Sequence, residues 1–144
     1  MKIAISNLIL EITRRCNLHC EHCLRGNAQN YSIDMKYVEN IFKRIDRIDC
    51  LTFTGGEPQL AVGKIEETLK LAKKYNVEVG SFYIATNGTK NSRKFIMAVI
   101  DWYMYCTDNE MTAVHVSKDY FHTVEDNVDF RKLHLHALSF TGVS

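Results

Sequence analysis

Three of the chain's five cysteines, Cys16, Cys20 and Cys23, fall within eight residues in the spacing C-x3-C-x2-C. Thiols this close are wasted as packing residues and hazardous when free, so the stretch Arg14 to Cys23 must be presented as a loop around something that uses thiolates. An odd cysteine count with such clustering argues against the disulfide framework of a secreted domain. It favours a metal or redox site in the cytoplasm.

The rest of the composition narrows the class. At 144 residues the chain can form one ordinary domain with a sizeable core, and a single domain over 1–144 is expected. Its formal net charge of +1 gives no general field that would recruit nucleic acid or an anionic membrane. No run of about 18 apolar residues is present to span a bilayer. The start, Met1 to Asn7, is a poor signal peptide because it lacks a long apolar run and a small-residue cleavage site.

Strand-like and helix-like segments alternate along the chain. Leu8 to Thr13 is β-rich and runs straight into the cysteine loop. Val38, Ile41, Phe42, Ile45 and Ile48 share one helical face, with Ser32 placed as the cap and Asp34 in the first turn. Cys50 to Thr54 reads as a short strand ending at Gly55-Gly56. A second helix is predicted from about Ala61 to Lys74, with the stripe Ile65, Leu69, Ala72 and a Glu66–Lys70 pair. Val77 to Ala85 reads as a third strand ending at Thr86-Asn87-Gly88. Ser92 caps a third helix to about Tyr105. Met111 to Ser117 is a fourth strand, and Leu133 to Phe140 alternates like a fifth. His134 and His136 share one face of that fifth strand and are read as a solvent-facing edge. Glu125 to Lys132 is polar, with a short helix as one reading.

Such alternation implies an α/β fold with a parallel sheet and helical crossovers, whose sites gather at the carboxyl ends of the strands. The cysteine loop, Gly55-Gly56-Glu57-Pro58, Thr86-Asn87-Gly88 and the group Ser117, Asp119 and His122 each follow one of the first four strands. All four clusters therefore belong to one rim. Alternation within strands puts Leu10, Ile12, Leu51, Phe53, Phe82, Ile84, Val114 and Val116 on helix-covered faces. Glu11, Thr13, Thr52, Thr54, Tyr83, Ala85, His115 and Ser117 then line the other side. About five strands cannot close an eight-stranded barrel. The expected architecture is an abbreviated, open partial (β/α) barrel with a mostly parallel, curved sheet.

The triplet admits several occupants. Structural zinc wants four ligands, and the candidates for a fourth, His19 and His22, lie inside the same tight loop. Electron-transfer clusters use four protein ligands. Cys50 and Cys106 are poorly placed to serve: both are expected on the far rim, about 13–16 Å away at about 3.3 Å per residue. They read instead as small core residues. Three thiolates with one iron left open is the economical reading.

With C-x3-C-x2-C after the first strand, Gly55-Gly56-Glu57-Pro58 after the second and Thr86-Asn87-Gly88 after the third, the chain resembles the radical S-adenosylmethionine (radical SAM) superfamily. The context Leu10 to Leu18 is most like the branch with molybdenum-cofactor and peptide-modifying members. The resemblance, over about Leu8 to His122, implies an enzyme with a 4Fe–4S cluster on Cys16, Cys20 and Cys23 and S-adenosyl-L-methionine on the fourth iron. It implies reductive cleavage to methionine and a 5′-deoxyadenosyl radical, which abstracts hydrogen from a substrate. The electron would come from a donor such as flavodoxin or ferredoxin. The substrate class, whether small molecule, peptide or protein, is not written in the sequence.

The same resemblance assigns roles. Gly55, Gly56 and Glu57 contact the methionine amino group; the alternative is a tight strand–helix turn. His22 takes the place of an aromatic residue near the adenine, or is simply a loop histidine. Asn87 contacts ribose or methionine, or makes an ordinary Asn-Gly turn. Ser117 lies near the ribose or carboxylate. Asp119 and His122 are rim candidates for substrate. Arg14, Arg15 and Arg25 flank the cluster, or form a solvated basic surface.

Family domains usually run to about six strands, so truncation at the C-terminus is one expectation. An idle iron–sulfur-binding or interaction domain is then the alternative function. A small glycyl-radical activase is a further one, although Arg15-Cys16 and Glu21-His22-Cys23 fit it less well.

Overall fold

A computed structural model of the chain describes residues 2–16, 30–88, 90, 92–117 and 139–143. Five strands, β1 (Ile3–Thr13), β2 (Ile45–Gly55), β3 (Glu78–Thr86), β4 (Ala113–Ser117) and β5 (Ser139–Val143), form one sheet. Their order in the sheet is their order in the chain, and every neighbouring pair is parallel. A doubly wound sheet reverses its strand order and carries helices on both faces. A sequential parallel order belongs instead to a barrel arc. Here β1 and β5 are the two edges, so the arc stays open.

Among the described residues, three helices separate the first four strands: α1 (Met35–Phe42), α2 (Val62–Lys74) and α3 (Arg93–Tyr105). Their apolar stripes bury Val38 and Phe42, Ile65 and Leu69, and Phe95, Val99 and Trp102. These meet the sheet face built from Leu10, Ile12, Leu51, Phe53, Phe82, Ile84, Val114 and Val116, all buried. Trp102 is the keystone. Its ring meets Phe53 at 5.5 Å and Tyr105 at 5.9 Å, and its indole N–H donates to the Ile65 carbonyl at 3.0 Å. It thereby ties α3 to both β2 and α2.

Several expected boundaries shift, each for a local reason. Helix α1 stops at Phe42, and Ile45 and Ile48 belong to β2, where they pair with Ile3 and Ile5. The register shifts after the Ile3–Ile45 pair and skips Asp46, so Ile45 and Ile48 are both buried at a three-residue spacing that imitates a helix face. The cap of α1 is Asp34, whose Oδ1 accepts from the Lys36 N–H at 3.0 Å. Ser32 is instead drawn into an antiparallel bridge with Thr13. A 3₁₀ turn, Pro58–Ala61, precedes α2, and another, Asn109–Met111, precedes β4, so Met111 lies outside that strand. Glu66 pairs across helices with Lys94 of α3 at 3.3 Å, where Lys70 of its own helix was expected. The fifth strand is described over Ser139–Val143. Most of the segment expected for it, with His134 and His136, lies outside the described residues, as does 125–132.

Cys50 sits mid-strand in β2, between Asn7 and Ser81, and Cys106 ends α3. The next residue, Thr107, donates its N–H to the Val79 carbonyl at 3.0 Å, near the start of β3. Cys106 is therefore at the end of the sheet opposite Gly55 and Thr86. Burial, with Cys50 contributing, pushes its thiol up to about 12, so it stays protonated at neutral pH.

Replacing Trp102 by Ala should cost about 3–5 kcal/mol of stability, and Trp102→Phe clearly less. Urea unfolding followed by circular dichroism measures both.

Candidate functional site

The parallel arrangement brings the carboxyl ends of β1, β2, β3 and β4 to one edge. Cys16 follows β1, Gly55 to Pro58 close β2, Thr86 to Gly88 close β3, and Ser117 ends β4. Cys16 is half-exposed there. Cys20, Cys23, His22, Asp119 and His122 lie outside the described residues, as does Arg25. The expected convergence on one rim therefore holds for Cys16, Gly55, Gly56, Glu57, Asn87 and the backbone of Ser117.

Thr13, the last residue of β1, is fully buried and organises the entry to the cysteine loop. Its hydroxyl donates to the Tyr31 carbonyl at 3.0 Å. The same oxygen accepts from the Arg15 N–H at 3.1 Å and from the Ser32 hydroxyl at 3.2 Å. The Arg14 N–H also reaches the Tyr31 carbonyl, at 2.8 Å, and the Ile33 N–H the Ile12 carbonyl, at 3.0 Å. The chain entering the loop and the chain leaving it are thus stitched together at its base. Arg14 turns its guanidinium back to Glu11, Nε to Oε1 at 3.2 Å.

The loop after β2 lies directly on this base. Gly56 N–H donates to the Thr13 carbonyl at 2.8 Å, and Glu57 N–H to the Arg15 carbonyl at 2.7 Å. A Cβ at Gly55 would stand 2.1 Å from the Thr13 oxygen, and one at Gly56 2.1 Å from the Arg15 oxygen. Both glycines are required here by backbone-to-backbone packing, whatever else they touch.

Glu57 is 1% exposed and turns its carboxylate toward the end of β3. Oε1 accepts from the Gln59 N–H at 3.0 Å and from the Thr86 hydroxyl at 2.5 Å, and Oε2 accepts from the Asn87 N–H at 2.7 Å. Thr86 Oγ1 in turn accepts from the Gln59 side-chain amide at 2.9 Å and the Gly88 N–H at 3.1 Å. Every group in this set is buried. Gly88 carries the positive φ of 73° that the tight turn after Asn87 needs.

The sheet face away from the helices is polar and half-buried, with Glu11, Thr52, Thr54, Tyr83, Ala85 and His115 along it. The Tyr83 and His115 rings lie 6.2 Å apart, and burial raises the Tyr83 pKa above its ordinary value. Gln59 had no place in the sequence reading, and Thr13 and Thr86 were read only as a face residue and a member of a rim cluster, with no role of their own. The signal that could have found Gln59 was position, two residues after Glu57, and for Thr86 its place at the head of the Thr86-Asn87-Gly88 cluster.

An open parallel α/β arc with a cysteine loop and a Gly-Gly-Glu-Pro loop locked together at its carboxyl rim defines a class. The family model of the Radical SAM superfamily matches residues 10–131. The chain belongs to this superfamily. It is 38% identical over 66 residues to the uncharacterised protein MJ0907 of Methanocaldococcus jannaschii, covering 44% of this chain and 23% of that one. It is 30% identical over 80 residues to the protein YfkA of Bacillus subtilis (strain 168), covering 53% of this chain and 21% of that one. The fold resembles the solved structure of native anSMEcpe with bound AdoMet and Cp18Cys peptide. There the TM-score is 0.57 and the identity 24%, over 83% of this chain and 33% of that one. The chain spans under a quarter of the length of these curated relatives and a third of that solved structure. Among the described residues, no helix is long and apolar enough to cross a membrane.

Gly56→Ala should destabilise the protein by about 1–3 kcal/mol or more through its clash with the Arg15 carbonyl. Gly63→Ala, with no atom within 4 Å of the added Cβ, should stabilise it by up to about 1 kcal/mol. Thermal unfolding of the pair is the check, and equal shifts of one sign would count against the packing account.

Proposed function

We propose that the chain is a cytoplasmic radical SAM enzyme in which Cys16, Cys20 and Cys23 give three thiolates to a 4Fe–4S cluster and S-adenosyl-L-methionine takes the fourth iron. The reduced cluster would supply the electron that cleaves S-adenosylmethionine to a 5′-deoxyadenosyl radical, and that radical would take hydrogen from a substrate. The observation that carries this reading is the seating of the Gly55–Glu57 backbone on Thr13 and Arg15, at 2.8 and 2.7 Å, one residue before Cys16.

The residues present fit the group. Cys16 is half-exposed on the rim, at the end of a loop whose base is closed by Thr13, Tyr31 and Ser32. A thiolate donor set of three leaves a coordination position for an external ligand. Gly55, Gly56 and Glu57 would hold the methionine amino group beside that loop. Asn87 and Ser117 would reach the ribose or carboxylate from the ends of β3 and β4, and His22 would stack near the adenine. Asp119 and His122 would face the substrate. The polar sheet face below the rim would line the space beside the reacting centre. A one-electron donor such as flavodoxin or ferredoxin is the implied partner. The substrate, small molecule, peptide or protein, is left open.

Anaerobic reconstitution with iron and sulfide should give about four irons per chain. With a strong reductant and S-adenosylmethionine, the reconstituted protein should form 5′-deoxyadenosine. Cys20→Ala should abolish both. A colourless protein holding one zinc sinks the reading. Intact clusters without 5′-deoxyadenosine would leave an idle cluster-binding domain instead.

A further inference from the structure

We infer that Thr86 and Gln59 are positioning residues for S-adenosylmethionine, acting through the carboxylate of Glu57. This rests on the function proposed above and deepens it.

The ladder between β2 and β3 ends at the pair Phe53–Ile84, short of the rim. Beyond it β2 turns toward β1, where Gly55 pairs with Thr13. From there the two loops are joined by side chains, and Thr86 is the hub. Its single hydroxyl donates to Glu57 at 2.5 Å and accepts from Gln59 at 2.9 Å and from Gly88 at 3.1 Å. One donor and two acceptor positions exhaust what a hydroxyl can do. The hydroxyl therefore fixes one oxygen of Glu57, while the Asn87 N–H fixes the other at 2.7 Å.

Holding two loops together does not require this chemistry. A buried polar set can often be replaced by apolar groups of the same shape at little cost in stability, whereas a half-satisfied set is expensive. What an apolar pair cannot do is aim a carboxylate. Glu57, Gln59 and Thr86 are 1%, 6% and 2% exposed, so the aim is set inside the protein and not by solvent. The network also couples the Gly55–Glu57 segment to the Asn87 backbone, so one hydroxyl adjusts both loops that the ligand would touch.

The test compares Thr86→Val, which keeps the shape and loses the hydroxyl, with Thr86→Ser, which keeps the hydroxyl. Gln59→Met removes the amide at similar length. Each protein is reconstituted anaerobically and left oxidised, so that no cleavage intervenes. Iron content, thermal midpoint and the Kd for S-adenosylmethionine by calorimetry are measured. Thr86→Val should bind S-adenosylmethionine about tenfold more weakly with iron content unchanged, and Thr86→Ser should restore most of the affinity. Gln59→Met should fall between them, and it carries the test if Thr86→Val does not fold. Native-like affinity in Thr86→Val and Gln59→Met overturns the inference. So does a loss that tracks the thermal midpoint and is not rescued by serine. If the native, cluster-loaded protein itself fails to bind S-adenosylmethionine, the proposed function falls and this inference with it.

Discussion

The contact on which the rim depends is between backbones. Gly55, Gly56 and Glu57 lie against Thr13 to Arg15 so closely that a methyl group would stand 2.1 Å from a carbonyl oxygen at either glycine. Two amide hydrogen bonds, at 2.8 and 2.7 Å, are the return for that approach. Neighbouring strands normally lie about 4.8 Å apart and leave side chains room on both faces. Here the β1–β2 register shifts between Glu11 and Thr13, and Gly55 is drawn onto the Thr13 backbone. The residues just before the first cysteine are therefore held by main-chain contacts from the Gly55–Glu57 segment and by the Thr13 hydroxyl.

Two threonines extend that constraint outward. Thr13 at the end of β1 and Thr86 at the end of β3 each donate one hydrogen bond and accept two. Thr13 closes the base of the cysteine loop, and Thr86 joins the loop after β3 to the loop after β2. A buried hydroxyl with a partner missing costs about 1–3 kcal/mol. Two saturated ones make the rim cooperative: displacing one loop leaves donors and acceptors stranded in its neighbour.

The sequence made the architecture legible wherever period and chemistry agreed. The strand faces of Leu10, Phe53, Ile84 and Val114 and the stripe of Phe95, Val99 and Trp102 are buried as expected. It misled where a strand irregularity imitated a helix face, at Ile45 and Ile48, and where a tertiary partner displaced a local one, at Ser32 and Glu66. At the site, the motif residues were visible because their types are unusual at that spacing. The supporting residues were not. A threonine at a strand end is ordinary in composition, and its value lies in partners such as Tyr31, 18 positions away, or Glu57, 29 positions away. The glycines were read as a contact for a ligand or as a tight turn; the structure adds a packing demand, because a Cβ at either one would meet the backbone of Thr13 or Arg15. Cys20, Cys23, His22, Asp119 and His122 lie beyond what the structure describes.

The described cysteines show how one residue type is sorted by position. Cys106 ends a helix at the amino end of the sheet, and burial raises its thiol far above neutrality. A protonated thiol is neither a nucleophile nor a metal ligand. Cys50 lies mid-strand, about 16 Å from Gly55 at about 3.3 Å per residue, too far to complete a cluster on the rim. Cys16 alone among them is at the carboxyl end, half-exposed and beside the Gly55–Glu57 segment. Cys50 is set apart from the rim by distance, and Cys106 by its place at the opposite end of the sheet. Position in the fold thus separates Cys16 from the other two described cysteines, which the spacing alone had already set apart.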